Sequence, residues 1–145
     1  MDRYLYLQSN ESDIYFDDNT TARFRVQLKF PLYLPGLWKV ALVEFHATDK
    51  AKVSKRADDG LYIYADICKD SIVNGEERPL LRRLEKSSKG KWDYLLDPPF
   101  YVPVSKTEVR EVEVYIKGER DEDSTHLVKP VHLTLHFKQY PFWER

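Results

Sequence analysis

Apolar side chains recur at every second position along most of this chain, and a period of two belongs to a pleated strand rather than a helix. Phe24, Val26, Leu28 and Phe30 alternate with Arg23, Arg25, Gln27 and Lys29, the pattern of a strand with one dry face and one wet face. Val112, Val114 and Ile116 alternate with Glu111, Glu113 and Tyr115; Val131, Leu133, Leu135 and Phe137 alternate with His132, Thr134, His136 and Lys138. Trp38–Phe45 and Leu61–Ile67 are apolar on both faces, which predicts central strands covered on both sides. Arg3–Gln8, Leu80–Leu84 and Phe100–Val104 bring the total to about eight strands. Only Arg78–Lys89 has a helical look, and Pro79 with Ser87-Ser88 keeps it short.

Turn chemistry separates these segments: Asn10 to Thr20, Pro35-Gly36, Asp58-Asp59-Gly60, Asn74-Gly75, Ser87 to Gly90 and Pro98-Pro99. Asn74-Gly75 suits a tight hairpin, because both residues tolerate positive φ. The length of 145 residues predicts one domain over residues 1–145. Eight strands in one domain must manage their exposed edges, and an all-β, single jelly-roll β-sandwich of antiparallel strands is a common solution. An immunoglobulin-like sandwich is the alternative, although the Cys…Trp…Cys spacing of true immunoglobulin domains is missing.

Lys plus Arg number 23 and Asp plus Glu 24, a balance that argues against a surface built as a whole to grip nucleic acid. The single cysteine, Cys68, excludes an internal disulfide and a multi-cysteine zinc site. The start lacks the apolar core of about 7–15 residues that a secretory leader needs, and no run reaches the roughly 18 apolar residues of a membrane span. An intracellular location, or an assembly made inside the cell, is therefore expected.

Catalytic chemistry finds no footing. His132 and His136 share a strand face but sit ~13 Å apart, too far for one metal, so both are expected to be exposed strand histidines. His46 and His126 have no carboxylate pattern that would orient them. Cys68 has no local base or helix N-terminus to activate it. Asp17-Asp18 reads as a self-capping turn rather than an acid–base pair. With five glycines and no phosphate-cradling loop or nucleophile elbow, the chain is expected to be no enzyme, with no catalytic residue, metal or cofactor.

Charge is segregated instead. Lys50, Lys52, Lys55 and Arg56 form one basic stretch, and Arg82, Arg83, Lys86, Lys89 and Lys91 another. Glu119, Asp121, Glu122 and Asp123 fill a loop of opposite sign. These are either solvated loops or complementary patches that register a head-to-tail contact between identical subunits. Trp92 and Tyr94 follow the second basic cluster, so a base-stacking patch there stays open, though nucleic acid is not the expected partner. Tyr140, Phe142 and Trp143 follow the last strand; such aromatics fold back over the core edge or dock into a neighbour.

Tyr4-Leu5-Tyr6-Leu7-Gln8-Ser9-Asn10, Tyr15-Phe16-Asp17-Asp18-Asn19-Thr20 and Phe24-Arg25-Val26-Gln27-Leu28 are followed by Leu34-Pro35-Gly36-Leu37-Trp38-Lys39-Val40-Ala41-Leu42-Val43-Glu44-Phe45. Ile72-Val73-Asn74-Gly75, Pro79-Leu80-Leu81-Arg82-Arg83, Tyr101-Val102-Pro103-Val104, Val112-Glu113-Val114-Tyr115-Ile116 and Leu133-Thr134-Leu135-His136-Phe137 continue the set in order. Together these segments resemble proteins encoded by Polinton/Maverick elements and the related adintoviruses. The chain departs from these relatives at Lys138-Gln139-Tyr140, where they tend to carry a basic pair, and in its more acidic Glu119–Ser124 loop.

The resemblance implies a penton-type minor capsid protein: a single jelly roll that forms homopentamers at icosahedral vertices and contacts the major capsid protein. It also implies a place in the virion capsid, assembled inside the host cell. On that reading Arg82, Arg83 or the Lys50–Arg56 stretch is expected to meet Glu119, Asp121, Glu122 and Asp123 of a neighbour. Tyr140, Phe142 and Trp143 are further interface candidates. The competing readings are a jelly-roll lectin or receptor-binding module, a nucleic-acid-binding β-domain using Arg82–Lys91, and a domesticated descendant of the capsid gene.

Overall fold

The computed structural model describes residues 2–49, 60–85, 91–124 and 127–140, with only the backbone described for Asp49, Lys91 and Lys129. Within them the chain forms strands and no helix: β1 (Asp2–Gln8), β2 (Arg23–Tyr33), β3 (Trp38–Asp49), β4 (Gly60–Ala65), β5 (Ser71–Val73), β6 (Glu76–Arg78), β7 (Leu80–Glu85), β8 (Lys91–Leu95), β9 (Val102–Pro103), β10 (Glu108–Gly118) and β11 (Leu127–Gln139). All pairings are antiparallel.

The first sheet has the order β1-β11-β3-β8, with β9 also pairing β3, and the second has the order β2-β10-β4-β7. The chain thus passes from one main sheet to the other at most connections, while β4 and β7 stay in the second sheet and β8 and β9 in the first, and β5 and β6 pair as a separate hairpin. That winding is a jelly roll. An immunoglobulin sandwich would instead keep its first two strands together in one sheet.

The two inner faces bury each other. Phe24, Ile63 and Val114 of the second sheet meet Phe45, Leu135 and Phe137 of the first in one apolar core, all six fully shielded from water. The segments that are apolar on both faces lie inside their sheets as expected: β3 between β11 and β8, β4 between β10 and β7. Tyr64 shows why β4 needs two apolar faces. Its outward ring is buried beneath Tyr115, with centroids 4.8 Å apart.

Two local details depart from the simple reading of the sequence. Phe24 and Val26 are buried as expected, but Phe30 is 75% exposed. The β2–β10 register jumps from Gln27↔Glu111 to Leu32↔Val109, so Leu28–Pro31 stand opposite Arg110 alone. Pro31 has no N–H to give to a ladder, and a bulge on an edge strand is where such a residue is tolerated. The extra residues turn Phe30 out of the core.

The second departure is β8, a strand missing from the sequence analysis. Trp92 points inward and is fully buried, with Tyr94 packed against the core beside it. They alternate with Asp93 and Leu95, a pattern masked in the sequence by the preceding basic run. Trp92 therefore cannot serve as a stacking platform for bases. The strand expected near Leu80–Leu84 is β7, Leu80–Glu85, where pairing with β4 overrides the weak helical look of its surroundings.

Asn74-Gly75 behaves as expected. Both have positive φ, 52° and 84°, and they close the β5–β6 hairpin as a primed two-residue turn requires. The predicted Leu61–Ile67 strand ends at Ala65, while Ile67 and Cys68 stay buried in the following turn. Replacing Trp92 with Ala is expected to cost about 3–5 kcal/mol by removing the largest fully buried side chain, read as a drop in urea midpoint.

Candidate subunit-contact surfaces

The outer face of the second sheet is a lattice of arginines and tyrosines. Alternation places Arg23 and Arg25 of β2, Tyr115 and Lys117 of β10, Tyr62 and Tyr64 of β4 and Arg83 of β7 on this side. Arg23 lies 5.1 Å over the Tyr115 ring, Arg83 5.6 Å over Tyr62 and Arg78 6.0 Å over Tyr64. The arginines are anchored by carboxylates: Arg25 Nε donates to Glu113 Oε2 at 3.0 Å, and Arg78 Nη2 to Asp121 Oδ2 at 2.8 Å and Glu76 Oε2 at 2.6 Å. Arg83 donates to Glu119, and to Glu85 at 3.2 Å. Lys117 stands 3.8 Å from both Asp121 and Asp123.

Some of the groups expected to meet across a contact with a neighbour already have partners within one chain. Arg83 and Glu119 do meet, but inside one chain, because the β10–β11 loop folds back beside β4 and β7. Asp121 is taken by Arg78, a residue the sequence analysis did not single out, and Asp123 lies near Lys117. Among the described residues Glu122 alone of the four acids has no cationic partner. Arg82 turns away from this face, 4.2 Å over the Phe100 ring, with Nη1 donating to the Pro98 carbonyl at 3.4 Å. An acidic loop neutralised by its own chain is a poor register mark for a neighbour.

Tyr140 also folds back. Its N–H donates to the Leu37 carbonyl at 3.1 Å, and its ring lies 4.3 Å from Lys39 Nζ. Phe142, Trp143, His126 and the basic residues Lys50, Lys52, Lys55, Arg56, Lys86 and Lys89 lie outside the described residues, as does the Lys91 side chain.

The outer face of the first sheet carries the histidines. Cross-strand register lines up Gln8, His132, His46 and Asp93 in one row, and Tyr6, Thr134, Glu44 and Leu95 in the next. His46 does have an orienting carboxylate: Nδ1 lies 3.1 Å from Asp93 Oδ1, and Nε2 lies 3.7 Å from Glu44 Oε2. No sequence signal links residues 46 and 93, which only register brings together. Glu11, Tyr6, Gln8, Glu44, His46 and His132 line a groove of about 380 Å³ here.

His132 is exposed as expected, but His136 is only 8% exposed. Tyr4 stacks on its ring at 4.6 Å, and the Tyr101 hydroxyl lies 2.7 Å from Nδ1. Among the described residues no group of three or more His, Cys, Asp or Glu is placed to hold a metal. Burial, helped by the nearby Asp66 charge, pushes the Cys68 thiol up to about 12, so the thiolate a nucleophile needs is scarce at neutral pH.

A third surface lies along the flank where the edge strands β1 and β2 run. The bulge leaves a groove of about 510 Å³ there, lined by Leu5, Leu28, Phe30, Pro31 and Leu32 with Arg3, Tyr4 and Lys29. Among the described residues no helix is long and apolar enough to cross a membrane.

The Asp121 carboxyl is held below its usual range, chiefly by the hydrogen bond from Arg78. A carboxyl depressed in the fold stabilises above its unfolded value near 3.9 and loses that contribution as pH falls through the folded value. Asp121→Asn is therefore expected to lower the urea midpoint at pH 7, with the gap to wild type narrowing as pH drops below about 4. A gap independent of pH would show that the ionised pair contributes nothing. Comparison with known proteins finds no protein-family model that matches the chain and no curated protein similar to it.

Proposed function

We propose that this protein is a structural capsid subunit of the penton type, which assembles with copies of itself and is seated among major capsid proteins. The observation that carries this reading is the winding β1-β11-β3-β8 over β2-β10-β4-β7, which is that of a jelly roll. The ordered set of segments resembling Polinton/Maverick and adintovirus proteins supports it. So does the finish of the two faces: one sealed by ion pairs, the other lined by rows of cross-strand side chains. Such a subunit works through shape and edge contacts and needs no catalytic group.

Five-fold closure uses a heterologous contact, in which one flank of each subunit meets a different flank of the next. The measurement is mass by light scattering at high protein concentration, followed by imaging, alone and with a major capsid protein of the resembled family. Rings of five, or decoration of shell vertices, are the expected result. A protein that stays monomeric and ignores the shell overturns the proposal.

A second reading, a glycan- or receptor-binding module, draws on the groove beside Tyr6. Tyr6 is 70% exposed, and a ring offered to solvent next to Gln8, Glu44 and His46 is a composition that suits a sugar. A glycan array separates the readings: selective signal abolished by Tyr6→Ala favours this module, and silence with ring formation favours the capsid subunit.

A further inference from the structure

Several surface cations are matched inside the chain: Arg25 to Glu113, Arg78 to Asp121, Arg83 to Glu119 and Lys106 to Asp66. Two cations without such a match sit together on the β1/β2 flank. Among the described residues neither Arg3 nor Lys29 has a carboxylate within ion-pair distance, and both border the groove floored by Leu5, Leu28 and Leu32. Phe30 stands in that groove, 75% exposed. Apolar surface this open, flanked by unmatched like charges, calls for an apolar partner carrying carboxylates.

The chain offers such a partner on its other side. The β5–β6 hairpin carries Ile72, 77% exposed, directly across the ladder from Glu77. Asp70 precedes the hairpin. Among the described residues neither Glu77 nor Asp70 has a cationic partner, while the neighbouring Glu76 is held by Arg78. The hairpin is a rigid projection. Its turn is locked by Asn74 and Gly75, Val73 is buried, and Arg78 ties its base to Asp121 and Tyr64.

Its own chain cannot use it. The hairpin runs straight into β7, one edge of the second sheet, whereas the groove lies at β2, the opposite edge. Three strand spacings, roughly 14 Å, separate the two edges. A second copy of the chain is the occupant that both features fit.

We infer that the β5–β6 hairpin of one copy docks into the β1/β2 groove of the next, with Ile72 on Phe30 and Leu28 and with Glu77 facing Arg3 and Lys29. The contact is heterologous, so each copy uses both surfaces and the arrangement propagates in one direction until it closes. Apolar burial of Ile72 and Phe30 supplies the affinity, and the charges set register and on-rate. The inference rests on the copy-to-copy reading above and adds the surfaces that perform it.

Two variants, each with one added cysteine, test it: Glu77→Cys on the hairpin and Lys29→Cys on the groove rim, each leaving the apolar residues intact. Cys68 is buried with its thiol held protonated, so it does not compete. Mixed under mild oxidation, the two are expected to give a disulfide-linked dimer absent from either alone. Adding Ile72→Asp to the Glu77→Cys chain should reduce that product at least tenfold. Dimers formed by either variant alone would indicate a two-fold contact and overturn the inference. No mixed dimer, with rings still seen for the wild type, defeats this contact but leaves the capsid reading standing. No mixed dimer and no self-association by light scattering defeats both.

Discussion

The two sheets of this protein hold together because each has one apolar face and no other place to put it. Phe24, Ile63 and Val114 lie against Phe45, Leu135 and Phe137 without access to water, and everything else is arranged around that dry layer. Alternation then fixes the other side of every strand. Once Val112, Val114 and Ile116 point inward, Glu113, Tyr115 and Lys117 must point out. The outer faces are thus as determined as the core, although solvent rather than packing first decides what they carry.

What the chain does with those faces differs between the sheets. On the second sheet, arginines lie over tyrosine rings, and Arg25, Arg78 and Arg83 are held by carboxylates from β6, β7, β10 and the β10–β11 loop. An isolated exposed pair contributes little, since side-chain ordering offsets the Coulomb gain. Here the geometry is shared, because Arg78 serves Glu76 and Asp121 at once and also covers Tyr64. The consequence is a sealed surface with little electrostatic attraction left for a partner. The acidic loop, conspicuous in the sequence, thus has most of its charge met within its own chain.

The edges carry the remaining freedom. A sandwich, unlike a closed barrel, ends each sheet in a strand with unpaired backbone groups. β2 blunts its edge with the bulge at Leu28–Pro31, and the same distortion opens the apolar groove beside β1. On the opposite side, the hairpin before β7 projects with an exposed isoleucine and an unmatched glutamate. One constraint, the need to spoil an edge for uncontrolled pairing, thereby produces a specific surface with a shape of its own.

Much of the fold was legible in the residues. Strict alternation named β2, β10 and β11, the doubly apolar runs named the central β3 and β4, and Asn74-Gly75 named the hairpin turn, each because a local physical rule applies without knowledge of the rest. Strand β8 escaped because its five residues follow a basic run, and Trp92 was read with its charged neighbours instead of its alternation. The partners of charged and aromatic side chains were not legible at all. Arg78 finds Asp121, Arg83 finds Glu119, His46 finds Asp93 and His136 slips beneath Tyr4, because sheet register brings distant segments side by side. The sequence by itself determined which faces are dry and where the chain turns, since period and turn chemistry act over a few residues. Only the tertiary structure decided which charges are spent internally and which surfaces are left to meet another molecule, since those depend on separations through space that no local pattern encodes.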